Sequence, residues 1–230
     1  MRTQSERKSA FNLTYLAIII LILIILLFII INRSVDELMP VERTVDLWNG
    51  TDFNGWEFFL DDSLADPDTV FTVKDDVIRI GGQPFGYMRT SEKYEEYDLH
   101  VEWRWPEEPG NSGVFLNIAG EDKKWPMTIE CQLMAGNAGD LVFLGGSDAA
   151  ERMDKSNMVL PKYEESSENP PGVWNNYNIR VKNDSIIVNV NGTLQNVCSM
   201  PFPKTGYIGL QSEGAPIEFR NVYLINTSEN

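Results

Sequence analysis

Histidine is almost absent from this chain: His100 is the only one among 230 residues. A zinc centre of three histidines is therefore impossible within one chain. Cysteine is nearly as scarce, with Cys131 and Cys198 alone. That number and spacing exclude a cysteine-rich zinc module and a disulfide framework. An oxidising compartment would permit a disulfide, but Cys131 falls on the apolar side of its local pattern, which favours a buried free thiol. Basic charge is also short: 19 Lys and Arg stand against 34 Asp and Glu, a net of −15. Such a surface repels nucleic acid and suits a neutral or cationic ligand, or serves solubility alone. Helical periodicity is missing beyond residue 43. No phosphate loop, nucleotide fingerprint or Ser-His-Asp order occurs.

Charge of either sign is absent between Lys8 and Arg33, and residues 16–31 are unbroken apolar sequence. Residues 11–31 are long enough to span a bilayer, which takes about 20 residues. A cleaved signal peptide is the alternative, but its apolar core is only about 7–15 residues long and ends in small residues. Here Ile31-Asn32-Arg33-Ser34-Val35-Asp36 follows instead. Arg2, Arg7 and Lys8 precede the segment, so the N-terminus is expected in the cytoplasm. Without Arg2, Arg7, Lys8, Arg33 and Glu6, residues 34–230 carry 15 basic and 33 acidic residues, a net of −18. The expected organisation is a cytoplasmic N-terminus at 1–10, a transmembrane anchor at 11–31 and a linker at 32–43. One domain at 44–227 and a tail at 228–230 follow. The domain is expected outside the cytoplasmic membrane, in the periplasm or at the cell surface. The linker reaches at most about 40 Å, which keeps the domain near the bilayer.

What fills the domain is strand. Alternating or apolar runs occur at 57–60, 69–74, 77–81, 86–90, 97–105, 112–118, 127–133, 141–144, 174–181, 185–190, 207–211 and 217–225. Turn pairs punctuate them, among them Asp75-Asp76, Asn183-Asp184 and Asn191-Gly192. Many short strands at close spacing predict an all-β sandwich or barrel. Residues 145–172 have no clean period and are expected to form an ordered loop at the rim of a sheet. In 127–133, Thr128, Glu130 and Gln132 alternate with apolar Ile129, Cys131 and Leu133, so they share one face. That face is expected to be an open polar surface of the kind that holds sugars.

Several stretches resemble the 3-keto-disaccharide hydrolase domain family. The opening Leu47-Trp48-Asn49-Gly50 with Gly55-Trp56 is similar to its start. So are Tyr97-Asp98-Leu99 with Glu102-Trp103, Asn111-Ser112-Gly113-Val114-Phe115-Leu116 and Ile129-Glu130-Cys131-Gln132. Gly172-Val173-Trp174-Asn175, Gly206-Tyr207-Ile208-Gly209-Leu210-Gln211 and Phe219-Arg220-Asn221-Val222 close the match, which spans about 47–225. Asn117, Val173 and Glu213 depart from the pattern, which has Arg, Glu and His at those positions in many relatives. The resemblance implies a concanavalin-like jelly-roll β-sandwich of two antiparallel sheets, here preceded by one N-terminal transmembrane helix. It also implies cleavage of glycosides already oxidised to a ketone at sugar carbon 3.

A ketone at carbon 3 acidifies the proton on carbon 2. A base removes it, and the enolate expels the group on carbon 1. Ordinary glycosidases instead need two carboxylates. The strand neighbours of Glu130 on its own face are Thr128 and Gln132, not acids, which favours one base. Glu130 is the candidate base, and Gln132 is the candidate for orienting the sugar or holding its carbonyl oxygen. Asn111 is a candidate for a sugar hydroxyl, or serves its own turn. Arg104 is a candidate for neutralising the enolate, or pairs across strands with an acid. Trp125 is a candidate for stacking on a sugar ring, or anchors its loop. Asp140 lines the cleft, binds a divalent cation such as calcium through oxygen ligands, or caps a turn. His100, with Asp98, Glu102 and Arg104, reads as a solvated surface, and Trp103 and Trp105 read as core. The sequence marks no certain cofactor and leaves a divalent cation such as calcium open. The expected partners are a carbohydrate and, through 11–31, the lipid bilayer. The alternatives are a tethered noncatalytic carbohydrate-binding module and a structural envelope protein.

Overall fold

The computed structural model of the protein describes residues 21, 22, 24, 25 and 42–227. Most of the expected anchor and linker lies outside the described residues. Leu21, Ile22, Ile24 and Ile25 are helical and exposed. Among the described residues no helix is long and apolar enough to cross a membrane. Residues 43–226 form one compact unit.

That unit is a sandwich of two antiparallel sheets. The eight-stranded sheet contains β1 (Glu42–Asp46), β3 (Phe71–Lys74), β4 (Val77–Ile80), β6 (Tyr97–Arg104), β11 (Asn175–Lys182), β12 (Ser185–Val190), β13 (Thr193–Ser199) and β15 (Ile217–Thr227). Its order is β13-β12-β11-β6-β15-β4-β3, with β1 also paired to β15. The seven-stranded sheet contains β2 (Trp56–Leu60), β5 (Gly86–Thr90), β7 (Gly113–Ala119), β8 (Met127–Gln132), β9 (Leu141–Leu144), β10 (Val159–Leu160) and β14 (Tyr207–Ser212). Its order is β10-β9-β8-β7-β14-β5-β2.

Local chemistry explains the hairpins. Asp75 and Asp76, Asn183 and Asp184, and Asn191 and Gly192 all have positive φ. Two consecutive residues in that region make the mirror-image turn whose twist matches paired strands. Each pair closes a two-residue hairpin, as the registers Lys74↔Val77, Lys182↔Ser185 and Val190↔Thr193 show.

Alternation then decides which face is buried. In β6 Tyr97, Leu99, Val101 and Trp103 point inward, while Asp98, His100, Glu102 and Arg104 point outward. Tyr177, Ile179 and Val181 of β11 and Ile78 and Ile80 of β4 join them. The opposing sheet contributes Val114, Leu116, Ile129, Cys131, Phe143 and Leu210 to the same core. Trp103 is fully buried, so truncation to alanine there would cost about 3–5 kcal/mol. Trp105 is also core, and Cys131 and Cys198 are buried free thiols.

Four elements differ from expectation. Residues 67–70 form one helical turn instead of opening a strand. Pro67 fits its first position, and the Asp66 side chain accepts a bond from the Asp68 N–H to cap it. Strands β1, β10 and β13 were not expected from the sequence. In β13 a bulge shifts the register between Val188 and Asn189, and polar Gln195 and Asn196 are both buried. The period-two signal is lost there. Residues 145–172 do edge a sheet, since β10 pairs with β9.

Candidate active site

The outer face of the seven-stranded sheet carries the site. Phe115 and Val142 are the cross-strand partners of Glu130. Tyr87, Phe115, Ile118, Val142 and Leu144 form an apolar cluster on this face, backed by Phe59 and Tyr207. The face is therefore not the open polar surface expected. Thr128 is fully buried, and its hydroxyl donates to the Leu116 carbonyl at 2.8 Å. Glu130 is only 3% exposed, and its Oε1 makes no hydrogen bond.

Glycine makes room for that carboxylate. A Cβ on Gly113 would lie 2.3 Å from Glu130 Oε1. The Glu130 side chain thus leans over the neighbouring strand, where any larger residue would displace it. Burial, and then the nearby charge of Glu213, push its carboxyl well above the ordinary value of 4.5.

Two residues from the end of β14 complete the cluster. Gln211 pairs with Tyr87 in β5 and is 2% exposed, with neither end of its carboxamide in a well-formed hydrogen bond. Glu213 is half-buried and accepts from Asn111 Nδ2 at 2.9 Å, while the backbones of Asn111 and Glu213 form an antiparallel bridge. The other end of Asn111, Oδ1, is buried and unbonded. Burial raises the Glu213 carboxyl, against the opposing influence of Gln211 and Lys124. Unpaired buried polar atoms are costly in a native fold. Four such atoms, on Glu130, Asn111 and Gln211, gather on this face, where the polar groups of a ligand would find partners.

The other expected residues fall in different places. Gln132 is half-buried, and its carboxamide oxygen accepts from the Leu133 and Met134 N–H groups at 2.9 and 2.8 Å. Only its NH₂ end is left for a ligand. Trp125 is exposed at the rim and meets Phe85 edge-on at 6.2 Å, with Lys124 Nζ 4.6 Å above the Phe85 ring. Since the Lys124 charge is felt at Glu213, this loop borders the site. The Asp140 backbone oxygen accepts from Gln132 N, but its carboxylate accepts from Lys162 N at 2.8 Å and so pins the 145–172 loop. Among the described residues no three His, Cys, Asp or Glu side chains group as metal ligands.

Arg104 does not join the site. It lies on the outer face of the other sheet, donates to Glu218 Oε2 at 2.7 Å and covers the Trp174 ring at 4.5 Å. Alternation in β6 sends Trp103 into the core and Arg104 to solvent, on the far side of the sandwich from Glu130. His100 is on that same surface, bonded to Asn178 at 2.8 Å and stacked on Tyr223. Asn117 is structural: it accepts from Tyr97 Oη and donates to the Pro203 and Lys204 carbonyls.

Sequence reasoning missed Gln211 and Glu213 as a pair with Glu130. It also missed a polar network beside them, in which Tyr87 Oη donates to Asp122 at 2.8 Å and Arg89 bonds both Asp122 oxygens. Arg89 also pairs with Glu57 and covers the Tyr207 ring at 3.9 Å.

Solved structures share this fold at low identity. A protein from Parabacteroides distasonis assigned as a glycosyl hydrolase is 20% identical, with a TM-score of 0.58 over 79% of this chain and 93% of that one. The Bacillus licheniformis β-glucanase is 12% identical, with a TM-score of 0.56 over 80% and 97%. The Bacillus subtilis carbohydrate-binding module CBM66 is 10% identical, with a TM-score of 0.51 over 73% and 93%. Among curated proteins nothing matches significantly. The jelly-roll sandwich is thus the architecture of glycosidases and of carbohydrate-binding modules alike. Residues 43–225 match one family profile along nearly the whole sandwich, and the chain belongs to the 3-keto-alpha-glucoside-1,2-lyase-like domain family.

Proposed function

We propose that this domain cleaves 3-keto-glycosides by removing the proton on carbon 2 and expelling the group on carbon 1, with water completing a net hydrolysis. The observation that carries this reading is Glu130: a carboxyl buried among apolar side chains, with one oxygen unpaired. Its raised proton affinity makes it a strong acceptor once it is ionised. The NH₂ groups of Gln211 and Gln132 are placed to hold the enolate oxygen, and Asn111 Oδ1 to accept from a sugar hydroxyl. Trp125 and Phe85 offer ring faces at the rim.

The full chain in detergent is incubated with a 3-keto-glucoside bearing a chromogenic leaving group. The unoxidised glucoside and a substrate deuterated at carbon 2 are run beside it. Release from the keto sugar alone, slowed by deuterium and lost in Glu130→Gln, is expected. Release from the unoxidised glucoside, or full activity in Glu130→Gln, would overturn the assignment. The fold shared with CBM66 supports a second reading, a noncatalytic sugar-binding module. It predicts glycan binding without release of any leaving group.

The proposal includes a tether. Residues 11–31 span the cytoplasmic membrane with the N-terminus inside, which places the domain in the periplasm or at the cell surface. The uncharged stretch and its basic N-terminal flank support it. Protease added outside intact spheroplasts should digest the domain; its protection there would reverse the orientation.

A further inference from the structure

We infer that Glu213 is the general acid of the same reaction, giving its proton to the departing glycosidic oxygen while Glu130 takes the proton from carbon 2. The inference rests on the proposed elimination and extends it to a second carboxyl.

An elimination needs both partners when its leaving group is an alcohol, because an alkoxide leaves poorly without a proton. The strand that holds Glu130 offers no second acid. The fold supplies one from the end of β14. Asn111 fixes Glu213 by a side-chain bond of 2.9 Å and by backbone pairing. Asn111 and Gly113 enter the same strand, and the Glu130 carboxylate lies over Gly113. The two carboxyls thus flank one short stretch of backbone. Glu130 is buried beneath the face, and Glu213 is half-buried at its open side. Their positions suit separate tasks, one carboxyl deep against the sheet and one at the open side, where a leaving group departs.

The step balances without an oxidant or reductant. The C2–H bond breaks, its proton goes to Glu130, and its electron pair enters the enolate. The pair returns to form the C1=C2 bond as the C1–O bond breaks, and the glycosidic oxygen leaves with that bond's electrons and the proton of Glu213. An enone and a free alcohol result. Water adding at carbon 1 completes the hydrolysis, and proton exchange through solvent resets the two carboxyls.

The test compares two 3-keto-glucosides on the full chain in detergent, one with a nitrophenol and one with a simple alkyl alcohol as leaving group. General acids contribute about 100- to 10,000-fold, so Glu213→Gln should slow alkyl release by at least about 100-fold. Nitrophenol needs little protonation, and its release should fall much less. Glu130→Gln should lose both substrates together. Equal loss of both substrates in Glu213→Gln, with an unchanged melting temperature, would make Glu213 a positioning residue and overturn the inference. If Glu213→Gln fails to fold, Glu213→Asp is read on the same pair, where a selective alkyl deficit is again required. A wild-type chain that releases neither alcohol sinks the elimination itself. Release of the alkyl alcohol by Glu213→Gln at the wild-type rate sinks only the role of Glu213.

Discussion

The outer faces of the two sheets are built by the same alternation, yet they are solved in opposite ways. On the eight-stranded sheet every charge that β6 turns outward finds a partner. Asp98 binds Arg180 and Lys182, Glu102 binds Arg220 and Asn221, and Arg104 binds Glu218. Burial tends to raise Asp98 and Glu102, but these bonds outweigh it and hold both carboxyls below their ordinary values. On the seven-stranded sheet Glu130 is buried with an unpaired oxygen, and Gln211 lies near it without good bonds. A paired, solvated face contributes to stability and solubility. A face that leaves buried polar atoms unpaired gives up stability, and a ligand's polar groups can recover it.

Breaking the second face at its centre should have the largest effect. Glu130→Gln removes the proposed base and should lower release from a 3-keto-glucoside by about 100- to 10,000-fold, measured as kcat/KM. The fold should survive, since a neutral amide replaces a carboxyl that burial already drives towards neutrality.

Gly113→Ala attacks the same carboxylate from below. Its new Cβ would stand 2.3 Å from Glu130 Oε1 and 2.7 Å from Cδ, so the side chain must swing away. A displacement of about 1 Å in a catalytic group can cost 100-fold, so a 10- to 100-fold loss of activity is expected. Crowding should cost about 1–3 kcal/mol in denaturant unfolding. A variant of full activity would show that Glu130 works from another position.

The two faces also predict opposite pH signs. Glu130 binds its proton more tightly folded than unfolded. Between 4.5 and its raised folded pKa the native state holds a proton that the unfolded chain has lost, so stability falls as pH rises through that window. Glu213 acts in the same direction. Asp98 and Glu102 have lowered folded values, so their contribution is present above the ordinary pKa and is lost as pH falls through the folded one. Glu130→Gln should flatten the decline above 4.5, while Asp98→Asn should soften the acid limb below the ordinary carboxylate range. Thermal melts across pH check both. An unchanged upper limb in Glu130→Gln would place its titration elsewhere.

The contrast between the faces was only half legible in the sequence. The alternation of β6 and the paired turn residues at 75–76, 183–184 and 191–192 fix local structure by rules that need no distant partner. They also fix which side of a strand each residue occupies, which is why Trp103 and Cys131 could be placed in the core. Periodicity does not tell one outward face from another. Arg104 and Glu130 read alike until sheet order puts them on opposite sides of the sandwich. Glu213 lay outside the strand pattern altogether. It joins Asn111 across 102 residues of chain, a nonlocal pairing that no spacing rule reports. One signal did point at it, since Gln211 and Glu213 are two apart at the end of an apolar strand and so share a face.

The mildest change is the sharpest test of the division. Arg104→Ala removes a guanidinium that bonds Glu218, covers Trp174 and reaches the Gly172 carbonyl at 3.5 Å. Arg104 and Glu218 both keep contact with solvent, at 31% and 12% exposure, so the pair is only partly desolvated. Such pairs are worth about 1 kcal/mol or less, and the loss in unfolding free energy should stay near that figure. Arg220 also covers the Trp174 ring, at 4.1 Å, so the ring keeps one cationic neighbour. Activity on the 3-keto-glucoside should stay within about twofold of wild type, because surface changes away from a site shift stability and little else. A loss as large as that of Glu130→Gln, in a protein that melts normally, would move the chemistry to the eight-stranded sheet. The unpaired atoms around Glu130 would then need another explanation.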